Sequence, residues 1–109
     1  MSPPKHLPVA IIGAGPIGLA AAAHVLSRGM TPLVLETGPS AGHNIRQWGH
    51  VRVFSPWRYN IDQVSAELLR QADWREPDLD SYPTGDQIVE QYLEPLAVHP
   101  SIAPHARFG

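Results

Sequence analysis

The first clear pattern along the chain is Pro8-Val9-Ala10-Ile11-Ile12, a continuous apolar run rich in β-branched residues. It predicts a parallel strand buried on both faces, with its proline at the first position, where no ladder donor is lost. From Pro16 to Arg28 the apolar residues Leu19, Ala22, Ala23 and Leu26 recur at helical spacing. Arg28 falls in the last turn, and Gly29 is placed to close the helix in a left-handed conformation. Pro32-Leu33-Val34-Leu35-Glu36 repeats the buried-strand signature and ends in a carboxylate, after which Thr37-Gly38-Pro39-Ser40 breaks the pattern. Strand, helix and strand within about thirty residues predict a right-handed βαβ unit.

The periodicity then weakens. Val51-Arg52-Val53-Phe54-Ser55 has strand-like composition and is expected to be extended, although Phe54 is out of step with alternation. Asp62 can cap a helix over 63–72 that buries Val64, Leu68 and Leu69. Residues 74–83 are acidic and carry prolines, which predicts a loop. Thr84-Gly85-Asp86-Gln87 matches a capping box, and Ile88, Tyr92 and Leu96 follow four apart beside Val89 and Leu93, an apolar stripe on one helix. Pro95 removes an amide donor and is expected to bend the end of that helix. Residues 1–7 contain two prolines and no periodicity, so they read as a tail preceding one domain over 8–109.

Between the first strand and its helix lies Gly13-Ala14-Gly15-Pro16-Ile17-Gly18, a GxGxxG motif in the context its mechanism requires. Gly13 permits the tight turn, and Gly15 lacks the Cβ that would keep a pyrophosphate from the backbone amides. Gly18 lets the helix lie against the strand. The free amides at the helix start carry roughly half a positive charge and attract the phosphates of a dinucleotide. Pro16 and Ile17 belong to the same cradle, and the missing amide of Pro16 costs nothing there. Glu36 follows Gly18 by 18 residues, near the roughly 20-residue offset of the carboxylate that accepts ribose hydroxyls, with Thr37 beside it. A carboxylate there repels a 2′-phosphate and disfavours NADP at this site.

Composition narrows the remaining chemistry. A formal charge of −2 provides no basic field for nucleic acid. The glycines and prolines at 8, 13, 15, 16 and 18 interrupt the early apolar stretch, which argues against an export signal or a membrane span. Zero cysteines exclude a disulfide framework, a thiolate metal site and a thiol nucleophile, and fit a cytoplasmic protein. None of the six histidines pairs at the i, i+4 spacing of a zinc helix, so no metal site is expected. Ser55 and Ser65 lack a nucleophile elbow, and Asp73, Glu76, Asp78 and Asp80 read as solvated surface.

The residues Ile11 to Ala22, with Leu33-Val34-Leu35-Glu36, resemble the amino-terminal FAD-binding segment of two-dinucleotide-domain flavoproteins: flavin-containing monooxygenases, Baeyer–Villiger monooxygenases and thioredoxin-reductase-like oxidoreductases. The stretch 46–57 resembles the segment that lines the flavin in such proteins, and Tyr82-Pro83-Thr84-Gly85 resembles the lead into their next helix. The resemblance implies an α/β, Rossmann-like FAD/NAD(P)-binding fold of which 8–109 is the N-terminal part. It implies an FAD-dependent oxidoreductase as the parent enzyme, with NAD(P)H as reductant. A second glycine fingerprint and the distal acidic motif of the family do not occur in these residues, so the chain is expected to be a fragment, poorly stable alone and weak in FAD binding. Within the flavin-like stretch Arg46 is a candidate for an FAD phosphate or for solvent, Trp48 for cofactor contact or packing, and His50 for the ring, the pyrophosphate or an exposed loop. Trp57 and Trp74 read as core or rim. An NAD-binding dehydrogenase domain and a non-catalytic dinucleotide-binding module are the alternatives. No catalytic residue is expected in this stretch, because the isoalloxazine performs the redox chemistry.

Overall fold

The β-branched run at the start forms the first of three parallel strands in a computed structural model that describes residues 7–109. Strands β1 (Val9–Ile12), β2 (Pro32–Glu36) and β3 (Ala106–Phe108) lie side by side in chain order. Helix α1 (Pro16–Ser27) makes the crossover between β1 and β2. It ends at an Arg28 cap followed by Gly29 at φ 73°, the left-handed closure expected from the sequence. Most of the expected tail lies outside the described residues; Leu7, its last member, is exposed.

The sheet is covered on one face. Ile11, Val34 and Ala106 are register partners that pack with Leu19 and Ala22 of α1 and with Tyr92 and Leu93 into a single core. The opposite row, Ile12 and Leu35, is 80% and 38% exposed, so β1 is not buried on both faces as its composition suggested. The core takes in Ile11 and Val34, with Ala106 against it, but neither Ile12 nor Leu35, and of the helices α1 packs on β1 and β2.

A short helix α2 (His43–Arg46) follows β2, and a 3-10 turn (Trp57–Tyr59) seats Trp57 in the core. Of the stretch 51–55 only the first part is extended, and it does not join the sheet: Arg52 bridges Thr84, the Val53 amide donates to Pro83 O (3.0 Å) and the Gly85 amide to Val51 O (3.0 Å), whereas the chain bends at Phe54, which is fully exposed, and Ser55. Helix α3 (Gln63–Arg70) is capped by Asp62, whose carboxylate accepts from the Ser65 amide at 2.8 Å. It stops two residues short of expectation, because Asp73 turns to φ 57° while the Ala72 and Trp74 amides close on the Leu69 carbonyl. Asp62 also takes the His24 ring of α1 at 2.8 Å, and the Tyr92 hydroxyl accepts the Asp62 amide at 3.1 Å, tying three elements at one corner. Partial burial pushes the Asp62 carboxyl up, but His24 and the Ser65 donors outweigh it and hold it below the usual range.

The capping box at Thr84 and Gln87 is formed in both directions and starts α4 (Gly85–Ile88). A π-helical turn (Val89–Leu93) carries it into α5 (Glu94–Ala97). The wide turn lies immediately upstream of Pro95. A proline ring collides with the carbonyl four residues back, here that of Gln91, and the wide turn makes room. That carbonyl has lost its helical donor and accepts from the Trp74 indole N–H at 2.7 Å.

Candidate functional site

The site is built at the carboxyl ends of the strands. The Gly13 amide still donates to Leu35 O (2.8 Å), so the β1–β2 ladder runs up to the turn. There Gly13 takes φ 99°, which only glycine adopts without strain. Ala14 is fully buried and held at both ends: its amide donates to Glu36 Oε1 (2.8 Å) and its carbonyl accepts from the Gly42 amide (3.0 Å). Gly15 is the N-cap of α1 and contributes no side-chain cap, the first turn holds no acidic residue, and the first intrahelical bond runs from Leu19 to Gly15 O. The amides of Gly15, Ile17 and Gly18 thus have no partner within the helix and lie where its dipole is positive.

Space around the glycines differs. A Cβ on Gly18 would fall onto the Gly13 carbonyl oxygen, so this residue is what lets α1 leave the strand so steeply. A Cβ on Gly15 would meet nothing within 4 Å. The open side is a groove of about 430 Å³ lined by Ile11, Ile12, Gly13, Gly15, Pro16, Ile17, Gly18 and Ala21. A second recess of about 360 Å³ shares Ile12 and is lined by Leu35, Glu36, Thr37, Arg107, Phe108 and Gly109. Backbone that a phosphate can approach therefore lies next to a recess walled by a carboxylate, the donor and acceptor set that a diphosphate-linked nucleoside needs.

Glu36 does more at this place than end a strand. Its second oxygen accepts the Gly38 amide at 2.7 Å. The Ala14 amide, then that of Gly38, hold its carboxyl below the usual carboxylate range, against slight burial. Each oxygen keeps a further lone pair for a hydroxyl donor.

The structure gathers Gly13, Gly15, Pro16, Ile17, Gly18, Glu36 and Thr37 around these two recesses and leaves the other three sequence candidates elsewhere. The Arg46 guanidinium is about a third exposed and is engaged by three carboxylates. It bonds Asp86 (3.0 Å), Glu90 (3.1 Å) and Glu94 (2.8 Å), and these carboxylates, Asp86 foremost, push its pKa up. The physical reason is visible in the spacing: acids at 86, 90 and 94 recur every four residues and present one negative edge to α2. Trp48 lies against the start of α4, where a Cβ on Gly85 would come within 2.9 Å of its ring, and His50 is exposed in the adjoining turn. Trp57 is core and Trp74 is rim, both as the sequence suggested.

Arg107 and Phe108 were not among the sequence candidates. Both lie on β3, where Leu35 pairs with Arg107 and Glu36 with Phe108. Ligands of open parallel sheets bind beyond the carboxyl ends of the strands, and that rule applied to the third strand would have found both residues.

Residues 10–103 match the family described as pyridine nucleotide-disulphide oxidoreductase. The chain belongs to this family. The indole-3-pyruvate monooxygenase YUCCA1 of Oryza sativa subsp. japonica is 37% identical over 100 residues, which is 91% of this chain and 22% of that protein. An oxidised steroid monooxygenase solved with NADP superposes with a TM-score of 0.66 at 25% identity, covering 91% of this chain and 18% of its own. OTEMO, solved with FAD and NADP, gives 0.64 at 21% identity over 98% of this chain and 19% of its own, a likeness of fold. The chain thus spans about a fifth of the length of the relatives it matches. The α/β, Rossmann-like expectation and the family resemblance both hold. Among the described residues no helix is long and apolar enough to cross a membrane.

Proposed function

We propose that these residues form the dinucleotide-gripping part of an FAD-dependent, monooxygenase-like oxidoreductase whose flavin is reduced by NAD(P)H in the cytoplasm. The observation that carries this reading is the pair of adjoining recesses: partnerless amides of Gly15, Ile17 and Gly18 over one, and the ionised Glu36 in the wall of the other. Gly13, Gly15 and Gly18 with Pro16 and Ile17 would hold the diphosphate, and Glu36, with Thr37 beside it, the adenosine ribose. Glu36 favours a nucleotide with free ribose hydroxyls over one with a 2′-phosphate, which supports FAD rather than NADPH as the occupant here. FAD supplies the hydride and electron chemistry, and the residues described contribute binding and orientation. The family match and the monooxygenase relatives support the same assignment.

The test is the absorption spectrum of the protein purified at its natural length, followed by NADPH and NADH oxidation with and without FAD. Flavin bands and reductant-dependent bleaching are expected. Binding of NAD with no flavin would indicate a dehydrogenase domain, and dinucleotide binding with no turnover a non-catalytic module.

A further inference from the structure

The carboxylate at the end of β2 makes two bonds that a ribose-binding acid does not need. Glu36 Oε1 accepts the amide of Ala14, inside the glycine turn, and Oε2 accepts the amide of Gly38, in the turn that leaves β2. Among the described residues the other backbone hydrogen bond of the buried Ala14 is the one its carbonyl accepts from the Gly42 amide. Gly38 in turn accepts the Gly109 amide (3.2 Å) at the end of β3. One side chain thus fastens the turn after β1 to the loop after β2.

We propose that Glu36 is a positioning residue for the diphosphate: by holding Ala14 from within the glycine turn it sets the amides of Gly15, Ile17 and Gly18 before any ligand arrives. The inference rests on the dinucleotide reading of the site and assigns Glu36 a task that does not involve the ribose. Hydrogen bonds to charged acceptors are the stronger kind, and backbone donors fixed beforehand need no reordering on binding. Ionisation of Glu36 is linked to the two amides: they hold the carboxyl low, and the carboxylate in return holds them.

The sign of one effect separates this role from simple ribose binding. A carboxylate close to a diphosphate repels it, so neutralising the side chain should tighten inorganic pyrophosphate, which has no ribose to lose, unless the carboxylate also shapes the cradle. Glutamine offers one acceptor oxygen and sets an N–H₂ against the other amide, so Glu36→Gln keeps at most one of the two bonds. Glu36→Asp keeps the charge but lacks the reach.

The experiment measures affinity for inorganic pyrophosphate and for ADP in the full-length protein stripped of flavin, and amide hydrogen exchange at Ala14 and Gly38 without ligand. Wild type, E36Q and E36D are compared, with the amide of Ala22 in α1 as the control for global folding. We expect pyrophosphate to bind about tenfold more weakly to both variants, with faster exchange at Ala14 and Gly38 and none at Ala22. Pyrophosphate affinity unchanged or increased in E36Q, or unaltered exchange at Ala14, would overturn the positioning role and leave the dinucleotide reading standing. Failure of the wild type to bind either ADP or pyrophosphate would overturn the dinucleotide reading and this inference with it.

Discussion

Gly15 and Gly18 stand three residues apart and are required for different reasons, so replacing each with alanine should damage different properties. At Gly18 the new Cβ would fall onto the Gly13 carbonyl oxygen, a backbone atom with no rotamer to change, and the turn or the helix must move. Overpacking of this kind costs about 1–3 kcal/mol, and the better helix propensity of alanine returns about 1. Because the clash is with backbone, the upper end applies, and a net loss of about 2 kcal/mol is expected. At Gly15 the backbone is extended, with φ −92° and ψ −167°, and the Cβ would point into open space. The only structural penalty is alanine at an N-cap, about 0.5–1 kcal/mol. That Cβ would occupy open space through which a phosphate reaches the amides, however, and should weaken ADP and FAD binding at least tenfold, or about 1.4 kcal/mol. Chemical denaturation and titration calorimetry on the full-length protein give both quantities. A Gly15→Ala protein that binds like wild type, or a Gly18→Ala protein as stable as wild type, would refute the geometry argued for this turn.

The remaining expectations concern the supports of the site. Arg46→Met should lower stability by about 1 kcal/mol, more at low salt than at high, while nucleotide affinity changes less than twofold, since its guanidinium serves Asp86, Glu90 and Glu94. Trp74→Phe removes the donor to Gln91 O, which Pro95 cannot replace, and should cost about 1 kcal/mol beyond the lost packing; in a Pro95→Ala background that excess should vanish in a double-mutant cycle. Asp62→Ala loses the cap of α3 and the His24 contact and should destabilise by about 1–2 kcal/mol in thermal melts. Glu36 and Asp62 have folded pKa values below their unfolded ones, so their contribution is full above about pH 5 and is lost as pH falls through the lowered values. Denaturation midpoints measured from pH 7 to pH 3 should fall in that window, and the fall should be shallower for the Glu36→Gln, Asp62→Asn double variant.

The chain's local grammar decided a great deal by itself. Glycine spacing, a β-branched run before it and an acid after the second run are short-range features, and each acts through backbone sterics or capping that the surrounding fold does not reverse. For this reason the βαβ unit, the positive φ of Gly29, the Asp62 cap and the Thr84–Gln87 box are all legible in the sequence. Arg46 was not: its partners lie 40 to 48 residues away, and only the packing of α2 against the helix over 85–97 brings them within reach. Nor were the recess at Arg107 and Phe108, the bond from Glu36 to Ala14, or the sheet face left uncovered. Each depends on which strand edges pair and which face the helices meet, and those choices are made by burial of the whole apolar set in one core, not by any stretch of sequence alone.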